Sequence, residues 1–376
     1  MRILHTSDLH LGLRLKNYDL KEDQEYILKQ VAEKAQEQKP DVMIIAGDIY
    51  DKAIPSAEAV HLFDGFVTEL TERCPQMTIL IISGNHDSPE RIDCYSSILC
   101  RQNLYLAGLV PTEGEFLKKV VLTDSFGVVN FYLLPFVKPF FVRSLMPQEA
   151  VTYEDAVRTL LEREEIDRSQ RNVLVSHQFY VTGNSQVQRS QSEILTVGNV
   201  DAVSSELILD FDYAALGHIH TPMRAGAEHL RYCGTPLPYA LDEAGQEKGM
   251  LLITLGEKGS ELQIEKIPLT PLRQVRKIEG ELFQVLMQAS DDYVSVVLTD
   301  EEDLDTLDMQ VKLREAFPHL MEIHRSKGIQ INYQTAGQLK LEEVNPFQMF
   351  CEFYPDITQE EKEILRDIIN EVKEEV

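Results

Sequence analysis

Five apolar runs in this chain stop abruptly at carboxylate, amide or imidazole side chains, and that repeated ending limits the folds it can adopt. Residues 77–88, MTILIISGNHDS, show it best. Residues 79–82 read as a buried strand, Ser83 and Gly84 halt it, and Asn85, His86 and Asp87 follow at once. A strand that ends this way presents its polar cluster at the carboxyl edge of a sheet, where open α/β sheets place their ligands. Residues 2–7 (RILHTS) lead likewise to Asp8 and His10, and residues 41–46 (DVMIIA) to Gly47, Asp48 and Asp51. Residues 172–176 (NVLVS) lead to His177, and residues 213–216 to His218 and His220. Asp8 and His10 are two apart, as are His218 and His220, so in extended chain each pair projects to one side. Any one of these endings is an ordinary polar turn. Five in series are not.

At 376 residues the length favours two or three domains, each able to bury a core. Lys plus Arg is 36 and Asp plus Glu is 62, so the net charge is 36 − 62 = −26. Such a chain is a poor nucleic-acid binder by itself, because phosphate affinity comes largely from Lys and Arg. Cys74, Cys94, Cys100, Cys233 and Cys351 are odd in number and show no CxxC spacing. They read as small hydrophobes of a reduced protein, not as a disulfide frame or thiolate site. The start of the chain leaves no room for a signal peptide, and no apolar run approaches the ~18 residues that span a bilayer. The expectation is a soluble cytoplasmic protein.

Between the endings lie helical patterns at residues 20–38, from Ser56 onward, near 90–101, and from Thr152 to about 166. In the second of these, Val60, Phe63, Val67 and Leu70 step by three and four, a face for the sheet or for a second copy of the chain. His61 on that helix reads as structural. Strands are expected at 116–122 and 128–134, and a mobile polar loop at 183–192. Strands near 229–233, 250–255 and 261–267 are expected to close the second sheet of a sandwich. After Pro268 and Pro271 the rhythm becomes that of a small α+β unit over 271–340, with the acidic run 300–303 as a solvated loop. In the tail, 341–376, Asn345 and Pro346 open one amphipathic helix, and Thr358 with Glu361 caps another. These two helices either pack back on the chain or hold a partner.

Asp8, His10, Asp48, Asn85, His177, His218 and His220 are too many donors for one tetrahedral ion. They fit two cations about 3.5–4 Å apart that share a carboxylate, the arrangement used in phosphoryl hydrolysis. Imidazole, carboxylate and amide without cysteine suit Mn²⁺, Fe or Zn²⁺. His86 is then left to protonate the departing oxygen.

The series DxH, GDxxD, GNHD, H, GHxH resembles the calcineurin-like metallophosphoesterases. Within them it is most similar to the nucleases that work beside an SMC-type ATPase in DNA break repair. The stretches that carry the likeness are HTSDLHLG (5–12), AGDIYD (46–51), SGNHDSPER (83–91), SHQ (176–178), GHIHTP (217–222) and YCGTPLPY (232–239). It is strong over residues 1–270 and a likeness of layout beyond. The resemblance implies a four-layer αββα sandwich over 1–270, a capping domain over 271–340, and a C-terminal helical hairpin over 341–376 that binds the ATPase. It implies Asp8, His10 and His220 on one metal, and Asn85, His177 and His218 on the other, with Asp48 bridging. It further implies His86 as catalytic acid, Asp51 as the group that orients it, and Asp87 behind the ligands.

The implied activity is Mn²⁺-dependent exonuclease action on double-stranded DNA ends and endonuclease action on hairpins, in repair, recombination and replication at the nucleoid. The implied assembly is a homodimer, formed by helices after Asp51 and Asp87 and completed by two ATPase chains. Arg14, Lys16, Lys138, Arg143 and Arg189 lie in expected loops and are the cations available for DNA, with most affinity left to the ATPase.

A protein phosphatase of the same fold would carry Arg-Gly after the second Asp of GDxxD and Glu after GNH. Here Lys52, Ala53 and Asp87 stand there, which favours a diester over a monoester. A small cyclic-nucleotide phosphodiesterase has no use for the later domains, and a scaffold without metals has no reason to fill every donor position.

Overall fold

In the computed structural model the apolar runs become neighbouring strands of two six-stranded sheets. The structure describes residues 1–146, 152–183, 201–300, 306–326 and Lys362. The polar stretch from 184 with Arg189, the acidic residues 301–303 and the tail helices lie outside the described residues. By its contacts the chain divides into Met1–Ser326 and Lys327–Val376, and the account below concerns the first.

The first sheet runs in the order Gln263–Pro268, Gly249–Thr254, Arg2–Thr6, Val42–Ala46, Thr78–Ile82, Leu104–Ala107. Its last four strands are parallel. The second runs Met223–Arg224, Leu230–Tyr232, Tyr213–Gly217, Arg171–His177, Gly127–Leu134, Lys118–Asp124, with the middle four parallel. Side chains alternate along a strand, so a strand buried on both faces must be apolar throughout. Ile3, Val42, Ile44, Leu80 and Ile82 of the first sheet pack against Phe131, Val173, Val175 and Tyr213 of the second. Leu4, Met43, Ile45, Ile79 and Ile81 point the other way, onto the helices Lys21–Gln38 and Ala57–Arg73. Tyr132, Leu134, Leu174 and Leu216 do the same for the second sheet against the helix Tyr153–Glu162. The result is helix, sheet, sheet, helix.

Three local expectations change. Gly249–Thr254 and Gln263–Pro268 extend the first sheet, antiparallel to Arg2–Thr6, and of the late strands expected in the second sheet only Leu230–Tyr232 lies there. The reason is burial. Met250 and Leu252 enter the helix-side core while Leu251 and Ile253 enter the inter-sheet core, so the run takes an interior position, which in this fold lies beside Arg2–Thr6. The helix expected near 90–101 is two short pieces, Pro89–Asp93 and Ser96–Leu99, broken where Tyr95 takes a left-handed backbone at φ 62°. The helix capped by Thr152 ends at Glu162, short of residue 166, with its capping box closed by Asp155.

Residues 275–325 form a parallel three-stranded sheet, Val275–Gly280, Tyr293–Leu298, His319–Arg325, covered by Leu282–Leu286 and Thr306–Ala316 around their own small core. This unit is tied to the first sheet's side by polar contacts. Asp23 accepts from the Tyr293 hydroxyl at 2.8 Å and from Arg273 at 3.0 Å, and the Tyr18 hydroxyl donates to the Leu320 carbonyl at 2.8 Å. No helix among the described residues is long and apolar enough to cross a membrane.

At the end of the sandwich where the strand Arg171–His177 begins, Arg171 is almost wholly buried. Its guanidinium donates to both oxygens of Asp124, at 2.5 and 3.0 Å, and to the carbonyls of Gly127 and Gly256, each at 2.9 Å. One side chain thus joins the turn 124–127 of the second sheet to the loop after Thr254 of the first. Asp124 keeps a second cation, the Met1 ammonium at 2.8 Å, so Arg171→Met should lower unfolding free energy only by the lost charge-assisted hydrogen bonds, about 1.5–3 kcal/mol. Urea denaturation checks this; an unchanged midpoint contradicts it.

Candidate metal centre

The carboxyl ends of Arg2–Thr6, Val42–Ala46 and Thr78–Ile82 meet those of Arg171–His177 and Tyr213–Gly217 at one edge of the sandwich. There the chain turns sharply, four times at residues other than glycine with left-handed backbones: Asp8 (φ 55°), His10 (φ 43°), Asp48 (φ 49°) and His218 (φ 96°). Each such conformation costs on the order of 1–3 kcal/mol and persists only where its surroundings over-determine it. Main-chain hydrogen bonds between adjacent turns supply that: Asp8 N to Gly47 O, His10 N to Asp48 O and Leu11 N to Ile49 O, at 2.9–3.0 Å. The carboxylates brace them further. Asp8 accepts from the His218 amide at 3.0 Å, and Asp48 from the His86 amide at 2.9 Å.

All seven expected donors converge here. His10 Nε2 lies 3.1 Å from His220 Nε2 and 3.6 Å from Asp48 Oδ2. His177 Nε2 lies 3.3 Å from the same Asp48 oxygen, 4.0 Å from Asp8 and 3.1 Å from Asn85 Oδ1. His218 Nδ1 is 2.8 Å from Asn85 Oδ1. Asp8, His10 and His220 form one group whose donor atoms lie within 4.8 Å of each other; Asp8, Asp48 and His177 form a second; His10, Asp48 and His86 form a third. Except for Asn85 and His86, which border the opening, these side chains are buried.

Two imidazole nitrogens facing each other at 3.1 Å, next to two buried carboxylates, suit a shared cation, so the residues present fit the implied metals. The field has the matching sign. Burial alone would push the His177 ring down, yet the Asp48 carboxylate draws it up to about 9. Burial likewise opposes ionisation of Asp48, but the His177 charge outweighs it and holds that carboxyl well below its usual range. Burial holds the His10 ring well below its usual range, which favours its neutral form.

Behind the donors stands a layer of acceptors that turns each ring. His177 Nδ1 donates to the Ala46 carbonyl at 2.7 Å, leaving Nε2 for the centre. His86 Nδ1 donates at 2.8 Å to Asp51, through the main-chain oxygen. The side chain of Asp51 stays near enough for the His86 charge to oppose the upward push of burial on its own carboxyl. Asp87 accepts from the amides of Ile49, Tyr50 and Gly84 at 2.9–3.1 Å, pinning two donor loops together. Burial, with Asp48 nearby, pushes its carboxyl up to about 6.

Four residues come into view only in the structure. Gln24 accepts from Gly12 N and donates to the His10 carbonyl at 2.8 Å. The Tyr239 hydroxyl donates to the Leu9 carbonyl. The Phe136 ring stacks on His218, and Asp201 lies 4.0 Å from His218 Nε2. Only Tyr239 falls inside a recognisable motif. Of the expected DNA-facing cations, Lys16 is ion-paired with Glu322 at 2.5 Å, and Arg14 donates to the Asn17 carbonyl. Lys138 and Arg143 are exposed, flanking Phe140 and Phe141.

Gly84 shows how tight the centre is, since a Cβ there would collide with the carboxylate and amide of Asp48. Gly84→Ala should therefore displace Asp48 and weaken divalent-cation binding at least tenfold, or about 1.4 kcal/mol at 25 °C. Titration calorimetry with Mn²⁺ measures it, and affinity equal to wild type would contradict the packing described.

Residues 1–222 match the model of the calcineurin-like phosphoesterases, and residues 268–358 match that of the type 5 capsule protein repressor C-terminal domain. The SbcD component of nuclease SbcCD from Staphylococcus epidermidis is 31% identical over 332 residues, 86% of this chain and 85% of that protein. Among solved structures, a protein of Thermus thermophilus aligns over 70% of this chain and 98% of its own, at 12% identity and TM-score 0.41. A dimetal phosphatase from Danio rerio aligns over 73% of this chain and 99% of its own, at 11% identity and the same TM-score. With a family model spanning more than half its length and a relative that close over most of it, the chain belongs to the calcineurin-like phosphoesterases, in the SbcD family of nucleases.

Proposed function

We propose that this chain is the metal-dependent nuclease subunit of an SbcCD-type complex. It hydrolyses DNA phosphodiesters, as an exonuclease on double-stranded ends and an endonuclease on hairpins, in repair, recombination and replication. The observation that carries this is the gathering of seven oxygen and nitrogen donors, from five strand ends of two sheets, beside one ring oriented for proton transfer. Asp8, His10 and His220 would hold one cation and Asn85, His177 and His218 the other, with Asp48 available to both. Mn²⁺ is the proposed occupant, as a divalent ion that accepts carboxylate, amide and imidazole together. When bound, a pair of such ions activates water for attack and neutralises the charge that gathers on the phosphate.

The rest is done by the chain. Asp8 and Asp48 offset the cations' charge, and the backbone turns beneath them keep the donors from spreading. His86 donates its Nδ1–H to Asp51 O, and in the imidazolium form it carries a second proton on Nε2, which passes to the departing sugar oxygen and leaves the neutral ring. Lys52 and Ala53 follow Asp51, so no guanidinium stands there to grip the extra charge of a monoester. Few cations serve DNA locally, which agrees with a partner ATPase of the SbcC type supplying most of the affinity, held by the tail 341–376. Domain boundaries at about 270 and 340 accompany this reading.

The homodimer also has a surface to use. Between the helix Ala57–Arg73 and the two short helices after Asp87 lies an apolar groove lined by Val60, Phe63, Val67 and Tyr95. Val60 and Tyr95 on this groove, and Ile98 on the second short helix, are each more than two-fifths exposed. Val60→Glu together with Ile98→Glu should turn a dimer into a monomer in sedimentation velocity while leaving cation binding intact. A dimer that survives both charges would remove this face from the assembly.

For the chemistry, His86→Ala should retain both Mn²⁺ ions and lose about 10²–10⁴-fold in turnover, as for a missing general acid. Asp48→Ala should lose metal as well. The substrates to compare are a DNA hairpin, a phosphopeptide and a cyclic nucleotide, with and without the ATPase. A centre emptied by His86→Ala would make His86 a ligand, and preference for the phosphopeptide would make the protein a phosphatase.

A further inference from the structure

Glu243 and Lys248 are both buried and sit behind His220, on the side away from the other donors. Lys248 Nζ donates to Glu243 Oε2 at 2.6 Å, to Thr235 Oγ1 at 2.8 Å, and to the His220 carbonyl at 3.2 Å. The Thr235 amide donates to that same carbonyl at 3.2 Å. The second oxygen of Glu243 faces His220 Nδ1 at 3.7 Å, while His220 Nε2 faces the metal centre. One small cluster therefore holds the His220 main chain by hydrogen bonds and sets a carboxylate beside its ring.

We propose that Glu243, anchored by Lys248, is a positioning residue for His220. It keeps the ring's proton on Nδ1, so that the lone pair of Nε2 is presented to the cation shared with Asp8 and His10. This rests on the two-cation reading above. A carboxylate behind a ligating imidazole fixes its tautomer and raises its basicity, and losing one typically costs about 10–100-fold in metal affinity. The lysine's part is equally specific. Glu243 alone would bury a third carboxylate beside Asp8 and Asp48, whereas with Lys248 the pair is neutral and keeps only its direction. Stability alone does not call for this arrangement, since apolar residues of similar volume often replace a buried ion pair without loss. His177 has the Ala46 carbonyl for the same purpose, and among the described residues His10 Nδ1 has no such acceptor.

The test uses the full-length chain and Mn²⁺ alone as probe. In Glu243→Gln, titration followed by electron paramagnetic resonance should show one of two Mn²⁺ sites weakened about 10–100-fold and the other unchanged. The Mn²⁺ concentration for half-maximal hairpin cleavage should rise by the same factor, with the plateau rate near wild type. Because a single change leaves Lys248 buried without its counter-ion, a second variant, Glu243→Leu with Lys248→Met, removes both charges; it should fold and show the same weakened site. If both variants bind Mn²⁺ as wild type does and differ only in melting temperature, the pair is structural and the proposal fails. A wild-type chain that takes up no Mn²⁺ would instead overturn the two-cation reading, and this one with it.

Discussion

Two carboxylates, Asp8 and Asp48, are buried at the seam of two sheets, and much of the surrounding structure answers to them. Taking an ionised carboxylate out of water costs several kcal/mol unless partners replace the water. The hydrogen-bond and ion-pair partners found among the described residues are Ser7, the amides of His86 and His218, and the rings of His10 and His177. None is a permanent cation. The compensation is therefore partial by design, and the imbalance gives the centre its appetite for positive charge. A salt bridge to Lys or Arg would have made the same pocket comfortable and inert.

Holding these groups together takes a particular backbone. Four left-handed turns at side chains that chemistry requires, and close passages at Gly47, Gly84 and Gly217, bring strand ends nearer than ordinary loops allow. At Gly217, for example, an added Cβ would strike the Ala46 carbonyl that orients His177. The strain falls at the centre, and the apolar layers on either side of each sheet sustain it. Leu4, Met43 and Ile45 on one face and Ile3, Val42 and Ile44 on the other are all buried, so those strands are anchored from both sides.

The sequence was most legible where physics is local. A parallel strand buried on both faces must be a continuous apolar run, so the strands carrying Asp8, Asp48, Asn85, His177 and His218 announce themselves, and the donors follow directly after. Pairing is not local. The run 249–254 is equally apolar on both faces, and nothing in it tells which sheet has a free edge; that edge belongs to Arg2–Thr6, nearly the whole nuclease domain away. Backbone conformation at Asp8 or His218 is likewise hidden, because a side chain kept for its chemistry does not advertise the turn it must tolerate. The acceptors behind the rings were hardest. Ala46 and Asp51 act through main-chain oxygens that every residue owns, and Asp201, Glu243 and Lys248 sit in stretches without periodicity.

The placement of the donors on both sides of the seam has a consequence for the cell that makes this protein. Asp8, Asp48 and Asn85 belong to the first sheet, while His218 follows Asp8 by 210 residues and belongs to the second. During synthesis the early half can form its parallel core long before the later histidines leave the ribosome. That half-built chain owns some of the grip for a cation but not the geometry to cut. The donor set of this nuclease is thereby complete only once residues 218–220 have been made, past the midpoint of the 376-residue chain.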